Sequence, residues 1–109
     1  MTTPEAVLKK AIKDLVVRRG GFWSSVQGGA GSKIGDPDMV ICYKGKYIGV
    51  EGKTYEGAQS EWQKLRMTQI RAAGGMYILA RTVQDVEDIL DQIDREGEEN
   101  GAGISLNRV

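Results

Sequence analysis

Three polar side chains at the ends of two neighbouring apolar runs are the residues of this chain best suited to chemistry. Asp38 directly precedes the run 39–43, Glu51 closes the run 47–51, and Lys53 follows two residues later. Two carboxylates that face each other repel unless a positive charge compensates them, and a divalent cation with oxygen ligands would do so. A lysine beside such a cation can orient a nucleophile and offset negative charge developing on a phosphoryl group.

The turn between the two runs decides whether these side chains meet. If residues 44–45 form a two-residue hairpin loop, Asp38 lies directly across from Glu51, and Lys53 projects from the same strand face as Glu51. A loop at 45–46 would place Asp38 opposite Lys53, whereas a three-residue loop would separate Asp38 and Glu51 onto opposite faces. Solvated hairpin ends, or an ordinary salt bridge to Lys53, would also account for the pattern.

The composition restricts the chemistry further. The chain contains no histidine, which removes the commonest general base and every Ser-His or Cys-His nucleophile pair. Cys42 is the only cysteine, so neither an internal disulfide nor a structural zinc site is expected, and oxygen ligands favour Mg²⁺, Mn²⁺ or Ca²⁺. In its strand, Cys42 is expected to be a small core residue. The lone cysteine and the lack of a long apolar run predict a soluble protein of a reducing cytoplasm.

Charge is distributed unevenly along a chain whose net charge is zero. Residues 1–81 carry 13 basic against 7 acidic side chains, while residues 82–109 carry 2 against 8. The basic part is suited to a nucleic-acid partner, and the acidic part is expected to be a solvated helix face and tail. A solvated polar face is the alternative for about half of the basic residues. The candidate phosphate contacts are Lys9, Lys13, Lys33, Lys64, Arg66 and Arg71.

Periodicity and turn residues predict the elements that position these side chains. Thr3 and Pro4 suit the N-cap and first position of an amphipathic helix, and Ser60 and Gln63 have capping-box spacing at the start of another. The order αβββαβα predicts an α/β fold with a mixed central sheet flanked by helices. One domain is expected over 1–96, with a polar tail at 97–109. The predicted helices and strands cover residues 4–19, 22–27, 39–43, 47–51, 61–73, 76–80 and 83–96.

The run Gly35-Asp36-Pro37-Asp38, a hydrophobic strand, and then Val50-Glu51-Gly52-Lys53 resemble the PD-(D/E)xK nuclease signature. Together with the preceding helix and the Ser60-Glu61-Trp62-Gln63 helix start, about 10 residues after the lysine, residues 4–80 resemble the stand-alone phage and bacterial proteins of the VRR-Nuc branch. The resemblance implies an αβββαβ restriction-endonuclease-like core with an extra C-terminal helix. The family more commonly has Glu-Val-Lys where this chain has Glu51-Gly52-Lys53. The glycine in the middle position removes no side-chain ligand.

The resemblance also implies an activity, a cofactor and partners. It implies a Mg²⁺-dependent endodeoxyribonuclease, with Mn²⁺ able to substitute, that leaves 5′-phosphate and 3′-hydroxyl ends. Branched DNA such as a Holliday junction is the implied substrate, a homodimer the implied assembly, and a bacterial or phage-infected cytoplasm the implied location, with no membrane and no nucleotide cofactor. The expected catalytic residues are Asp38, Glu51, Lys53 and Gln63, and the expected metal ligands are Asp38, Glu51, the Gly52 carbonyl and Glu5.

Several alternatives stay open at this point. Glu5 suits either a family-like metal ligand or an acid that complements the helix dipole, and Gln63 suits either the site or its capping box. Trp23 and Trp62 would stack on bases or, more simply, belong to the core or to an interface. A non-catalytic nucleic-acid-binding module with this fold, or a less selective nickase, would also be compatible with the sequence.

Overall fold

The computed structural model describes residues 3–26, 35–53 and 59–101. Within them, the helices and strands follow the predicted αβββαβα order, which confirms the predicted α/β class. Each helix begins at its predicted residue, and the first two end within one residue of prediction. In chain order the elements are α1 Pro4–Arg18, β1 Phe22–Ser25, β2 Met39–Tyr43, β3 Lys46–Gly52, α2 Glu61–Ala72, β4 Met76–Ala80 and α3 Val83–Gly101.

The four strands form one mixed sheet in the order β1-β2-β3-β4. The first three strands are antiparallel, and β4 returns parallel to β3 after the crossover through α2. In the β2–β3 hairpin, Tyr43 pairs with Lys46 and Met39 pairs with Val50. The loop is therefore the two-residue Lys44-Gly45 turn, whose φ angles of 50° and 82° are both positive, as a type I′ hairpin turn requires. Of the registers that the sequence allowed, the structure has the one that places Asp38 directly across from Glu51.

The hydrophobic core lies between one face of the sheet and helices α1 and α3. Alternate residues of β2 and β3 point to this face, where they meet the apolar stripes of both helices. Full burial of each large aliphatic side chain contributes roughly 1.5–3 kcal/mol, so this layer supplies most of the driving force for folding. Its fully buried members include Ile12, Val16, Ile41, Ile48, Val50, Val86 and Leu90.

Helix α2 covers the opposite face of the sheet and buries none of its own residues fully. It approaches closely at Gly49, where a Cβ atom would lie 3.5 Å from Ile70 Cδ1 and 3.1 Å from Pro37 Cγ. At Gly35, which has a φ of 92°, a Cβ atom would lie only 2.4 Å from the Trp62 carbonyl oxygen. A residue without a side chain is therefore required there. These two glycines let α2 and the segment before β2 sit close together beside the sheet.

The end of α3 and the surroundings of Cys42 differ from the sequence prediction. Helix α3 continues through Gly97 to Gly101, whereas the sequence predicted its end near Glu96. An exposed glycine costs a helix only about 1 kcal/mol, so the flanking helical residues carry the helix past it. Cys42 is exposed and does not belong to the core, because it points to the sheet face that α1 and α3 do not cover. Of the tail predicted over 97–109, residues 97–101 belong to α3, and residues 102–109 lie outside the described residues.

An ion-pair network ties the end of α1 to α3 and to the hairpin. Arg19 Nη2 lies 2.9 Å from Asp91 Oδ1 and 2.8 Å from Asp94 Oδ2. The Tyr43 hydroxyl donates to Asp94 Oδ1 at 2.9 Å, and Lys44 Nζ lies 2.6 Å from the same oxygen. These cations and hydrogen bonds hold the pKa of Asp94 below its usual value, with Lys44 as the largest cause. The network joins three elements at the end of the sheet where the hairpin turns.

We expect Arg19→Met to destabilise the protein by about 1–2 kcal/mol, because acids on α3 lose a partly buried partner that also spans two helices. Thermal unfolding at pH 7 and low salt measures the effect. Lys10→Met is the matched control, since Lys10 pairs with Asp14 only on the exposed surface of α1. Equal melting temperatures for the two variants would contradict a structural role for the network.

Candidate metal site at the open end of the hairpin

The carboxylates of Asp38 and Glu51 lie at the end of the β2–β3 hairpin that is farthest from its turn. The register that pairs Met39 with Val50 places them opposite each other, one residue beyond that pair. Both residues are buried, with exposed fractions of 7% for Asp38 and 4% for Glu51. Buried carboxylates are costly unless paired or coordinated, so two of them at one strand end indicate a site that binds something positive.

The electrostatic state of Glu51 supports this interpretation. Its Oε1 atom is buried and has no hydrogen-bond partner among the described residues. Burial, and secondly the charge of Asp38, raise the pKa of Glu51 from 4.5 to about 7. Lys53, Lys9 and the hydrogen-bonding side chain of Gln63 act in the opposite direction. Glu51 is therefore an acid whose ionised form lacks full compensation from its surroundings.

Gly52 follows Glu51 in the chain, and its backbone contacts the carboxylate of Asp38. Its N–H donates a hydrogen bond to Asp38 Oδ2 at 2.8 Å. Because the N–H and C=O of one strand residue point the same way, the Gly52 carbonyl also points towards the Asp38 side of β3. The next N–H, that of Lys53, donates in the other direction to Ala80 O at 2.8 Å. The structure thus brings together Asp38, Glu51, Gly52 and Lys53.

Gln63 reaches the site from the first turn of α2. The predicted capping box is present: Ser60 N–H donates to Gln63 Oε1 at 2.9 Å, and Gln63 N–H donates to Ser60 Oγ at 3.1 Å. This arrangement occupies the amide oxygen, which leaves the amide N–H groups as the donors that favour the charged form of Glu51. Capping the helix and contacting Glu51 are therefore compatible roles for one side chain.

Glu5 is half-buried in the first turn of α1. The described residues contain no group of three or more acidic, histidine or cysteine side chains close enough to hold a metal ion. Glu5 accordingly does not join Asp38 and Glu51 in one cluster in this structure. A part for Glu5 in a second metal position stays a prediction.

The two arginines predicted to contact phosphate make contacts within the protein. Arg66 Nε lies 2.9 Å from Asp36 Oδ1, and both side chains are mostly buried. Arg71 Nη2 donates to the backbone carbonyl of Tyr77 at 3.2 Å. These contacts join α2 to the segment before β2 and to β4. Both arginines therefore have a structural role within the protein, and their contact with phosphate stays a prediction.

The lysines predicted to contact phosphate lie in different surroundings. Lys13 Nζ lies 4.3 Å from the ring centroid of Trp23, which itself packs against the core. Lys64 pairs with Glu61 one turn earlier on α2, at 3.3 Å, and stays exposed. Lys33 lies outside the described residues. Lys13 and Lys64 project from different helices, so any phosphate contact they make would be at separate places on the surface.

Two residues at the site were not recognised there from the sequence. Tyr77 on β4 is buried, and its hydroxyl has no hydrogen-bond partner among the described residues. Burial, and secondly the charge of Glu51, raise the pKa of Tyr77 to about 12. Lys9, predicted only as a phosphate contact, lies against Asp38. The sequence contained a hint of each: Tyr77 is a phenol in an otherwise apolar strand, and Lys9 lies one helical turn after Glu5, itself a candidate metal ligand.

Comparisons with protein-family models and with curated proteins gave no match. A solved structure described as a VRR_NUC domain is similar to this chain, with a TM-score of 0.66 and 21% sequence identity. The match covers 83% of this chain and 97% of that structure. The fold is therefore of the restriction-endonuclease-like α/β class. Within that class it is the fold of a VRR_NUC domain.

The described residues form the three helices α1, α2 and α3. None of the helices in this part of the chain is long and apolar enough to cross a bilayer.

Proposed function

We propose that this chain is a metal-dependent DNA endonuclease that hydrolyses phosphodiester bonds. The observation that carries the proposal is the buried, directly opposed pair Asp38 and Glu51 with Lys53 beside it. The fold supports it, because similarity to a solved VRR_NUC domain suggests a nuclease-type domain. A fold alone does not define an activity, so the proposal depends on the site.

Mg²⁺ suits the donors that the site offers. The ion prefers oxygen ligands and is commonly held by one or two carboxylates together with water and substrate phosphate. Asp38, Glu51 and the Gly52 carbonyl would hold it. Glu51 Oε1 is buried and has no hydrogen-bond partner among the described residues, so its lone pairs are available to a metal ion. Mn²⁺ accepts the same donors, and Glu5 is the candidate for a second ion. When bound, the ion would polarise the scissile phosphate and promote ionisation of the attacking water.

The protein's own residues would supply positioning and charge. The Lys53 ammonium would orient the attacking water and offset negative charge on the phosphoryl oxygens as the water attacks. Gln63 would hold the Glu51 carboxylate in its charged form and in one orientation. Cleavage of the bond to the 3′ oxygen would leave 5′-phosphate and 3′-hydroxyl ends.

The proposed substrate is branched DNA in replication, recombination or repair, with a Holliday junction as the main candidate. A 109-residue body covers only a small part of such a junction, so a symmetric homodimer would present two sites to two strands. Light scattering of the protein at assay concentration tests this assembly. A monomer that still cuts both strands of a junction symmetrically would contradict it.

The direct test is incubation of the pure protein with end-labelled four-way junctions, flaps and linear duplexes, in Mg²⁺ or in EDTA. We expect cleavage that requires the metal, is faster on branched DNA, and is lost in Asp38→Asn. Asp14→Asn is the matched control, because Asp14 is an exposed acid on α1. Binding without cleavage of any substrate in Mg²⁺ or Mn²⁺ would overturn the enzyme and favour a non-catalytic binding module. Equal rates on all three substrates would favour a nickase of low selectivity.

A further inference from the structure

Lys9 of α1 provides a positive charge at the proposed metal site. Its Nζ lies 3.6 Å from Asp38 Oδ2. The two side chains differ in accessibility, since that of Asp38 is 6% exposed and that of Lys9 is 32% exposed. The buried carboxylate is therefore fixed in place, while the ammonium sits at the mouth of the site on a flexible stem that reaches solvent.

Gly52 leaves room for the side chain of Lys9. A Cβ atom at position 52 would lie 3.5 Å from Asp38 Oδ2, 3.6 Å from Leu8 Cδ2 and 3.9 Å from Lys9 Cε. A larger side chain, such as the valine of the commoner motif, would therefore compete with the lysine stem for the same space. The backbone N–H of Gly52 and the ammonium of Lys9 converge on the same Asp38 oxygen.

The same oxygen belongs to one of the two carboxylates that would hold the divalent cation. A cation placed between Asp38 and Glu51 would lie close to the Lys9 ammonium, and two positive charges at such a separation repel each other unless one of them moves into water. Asp38 is held by its hydrogen bond to Gly52, whereas Lys9 can rotate away into solvent. Lys9 is therefore the group that would move into solvent when a cation binds.

We infer that Lys9 is the resident counter-charge of the site when no metal is bound, and that it competes with the divalent cation for Asp38. The inference rests on the proposed function, because it takes Asp38 as a metal ligand. The inference links metal binding to DNA binding. Entry of the metal releases the Lys9 ammonium from Asp38, and the ammonium can then form an ion pair with a DNA phosphate.

Calorimetric titration of Mg²⁺ into the DNA-free protein tests this competition. We expect Lys9→Met to bind Mg²⁺ about ten-fold more tightly than the unchanged protein, because the competing charge is gone. Lys9→Arg keeps the charge and is expected to bind with close to the original affinity. Lys10→Met is the matched control: it removes a neighbouring lysine whose ion pair with Asp14 lies away from the site, so its affinity should not change.

Thermal unfolding of the same variants gives a second readout that is independent of activity. In EDTA, Lys9→Met should melt below the unchanged protein, because buried Asp38 has lost its counter-charge. Saturating Mg²⁺ should raise its melting temperature more than that of the unchanged protein. Unchanged or weaker Mg²⁺ binding by Lys9→Met, with the variant folded, would overturn the inference alone. No Mg²⁺ binding by any of the four proteins would overturn the proposed function together with the inference.

Discussion

Glu51→Gln is expected to abolish metal-dependent cleavage and, at the same time, to stabilise the metal-free protein above pH 7. Cleavage should fall at least about 10³-fold, because the variant loses a charged ligand of the metal that the chemistry requires. A residue whose removal stops activity and improves stability is one that the fold tolerates for its function. The opposite signs of the two effects make this variant more informative than one that merely loses activity.

The stability effect follows from the raised pKa of Glu51. In the folded protein this pKa is about 7, whereas the carboxyl has its usual value of 4.5 when the chain is unfolded. The contribution of Glu51 to stability is therefore fully present below about pH 4.5 and is lost as the pH rises through 7. At pH 8, ionising Glu51 inside the fold costs about 3 kcal/mol. Glutamine cannot ionise and avoids this cost.

Thermal unfolding in EDTA between pH 5 and pH 8 measures the difference. The unchanged protein should lose stability relative to Glu51→Gln across this range, and Mg²⁺ should restore it. Glu98→Gln serves as the control, because Glu98 is exposed on α3. Two parallel pH profiles for Glu51→Gln and the unchanged protein would show that Glu51 is not strained by burial.

Lys53→Ala is expected to lower the single-turnover cleavage rate by about 10²–10³-fold while changing DNA affinity little. The reason is that the ammonium acts on charge that develops only as the phosphodiester bond breaks, so its loss raises the barrier more than it weakens the complex. Lys53 also lowers the pKa of Glu51, so the residual activity of the variant should need a higher pH.

Rates measured with enzyme in excess over a labelled junction, from pH 6 to pH 9, test this prediction. Lys46→Ala is the matched control, since Lys46 lies at the opposite end of the same strand and is exposed. If Lys53→Ala cleaved at a rate within about three-fold of that of Lys46→Ala, Lys53 would have no part in the chemical step. A large loss of DNA binding would instead make Lys53 a phosphate contact of the bound complex.

The geometry of Asp38 and Glu51 could be predicted because it depends on local rules. The Lys44-Gly45 turn accepts the positive φ angles that a two-residue hairpin needs, and the register then follows from the strict alternation of strands. The capping box at Ser60 and Gln63 is equally local, since both partners lie within one helical turn. Sequence spacing is sufficient wherever the interacting groups are a few residues apart or belong to one hairpin.

The other parts of the site depend on packing between distant elements. The contact of Lys9 with Asp38 requires α1 to cross the end of the sheet at one particular position, which periodicity does not specify. For Cys42, alternation correctly separated the two sheet faces, but only the placement of the helices decides which face is covered. The ion pair of Arg66 with Asp36 could not be predicted either, because Asp36 lies in a preceding segment that local patterns do not connect to α2.

Mn²⁺ binding to the DNA-free protein shows whether the carboxylates of Asp38 and Glu51 form one divalent-cation site. Electron paramagnetic resonance detects free Mn²⁺, so a titration with protein counts the ions bound. We expect the unchanged protein and Asp14→Asn to remove Mn²⁺ from solution, whereas Asp38→Asn and Glu51→Gln should not. Equal Mn²⁺ binding by all four proteins, or by none of them, would show that the two carboxylates do not form a divalent-cation site.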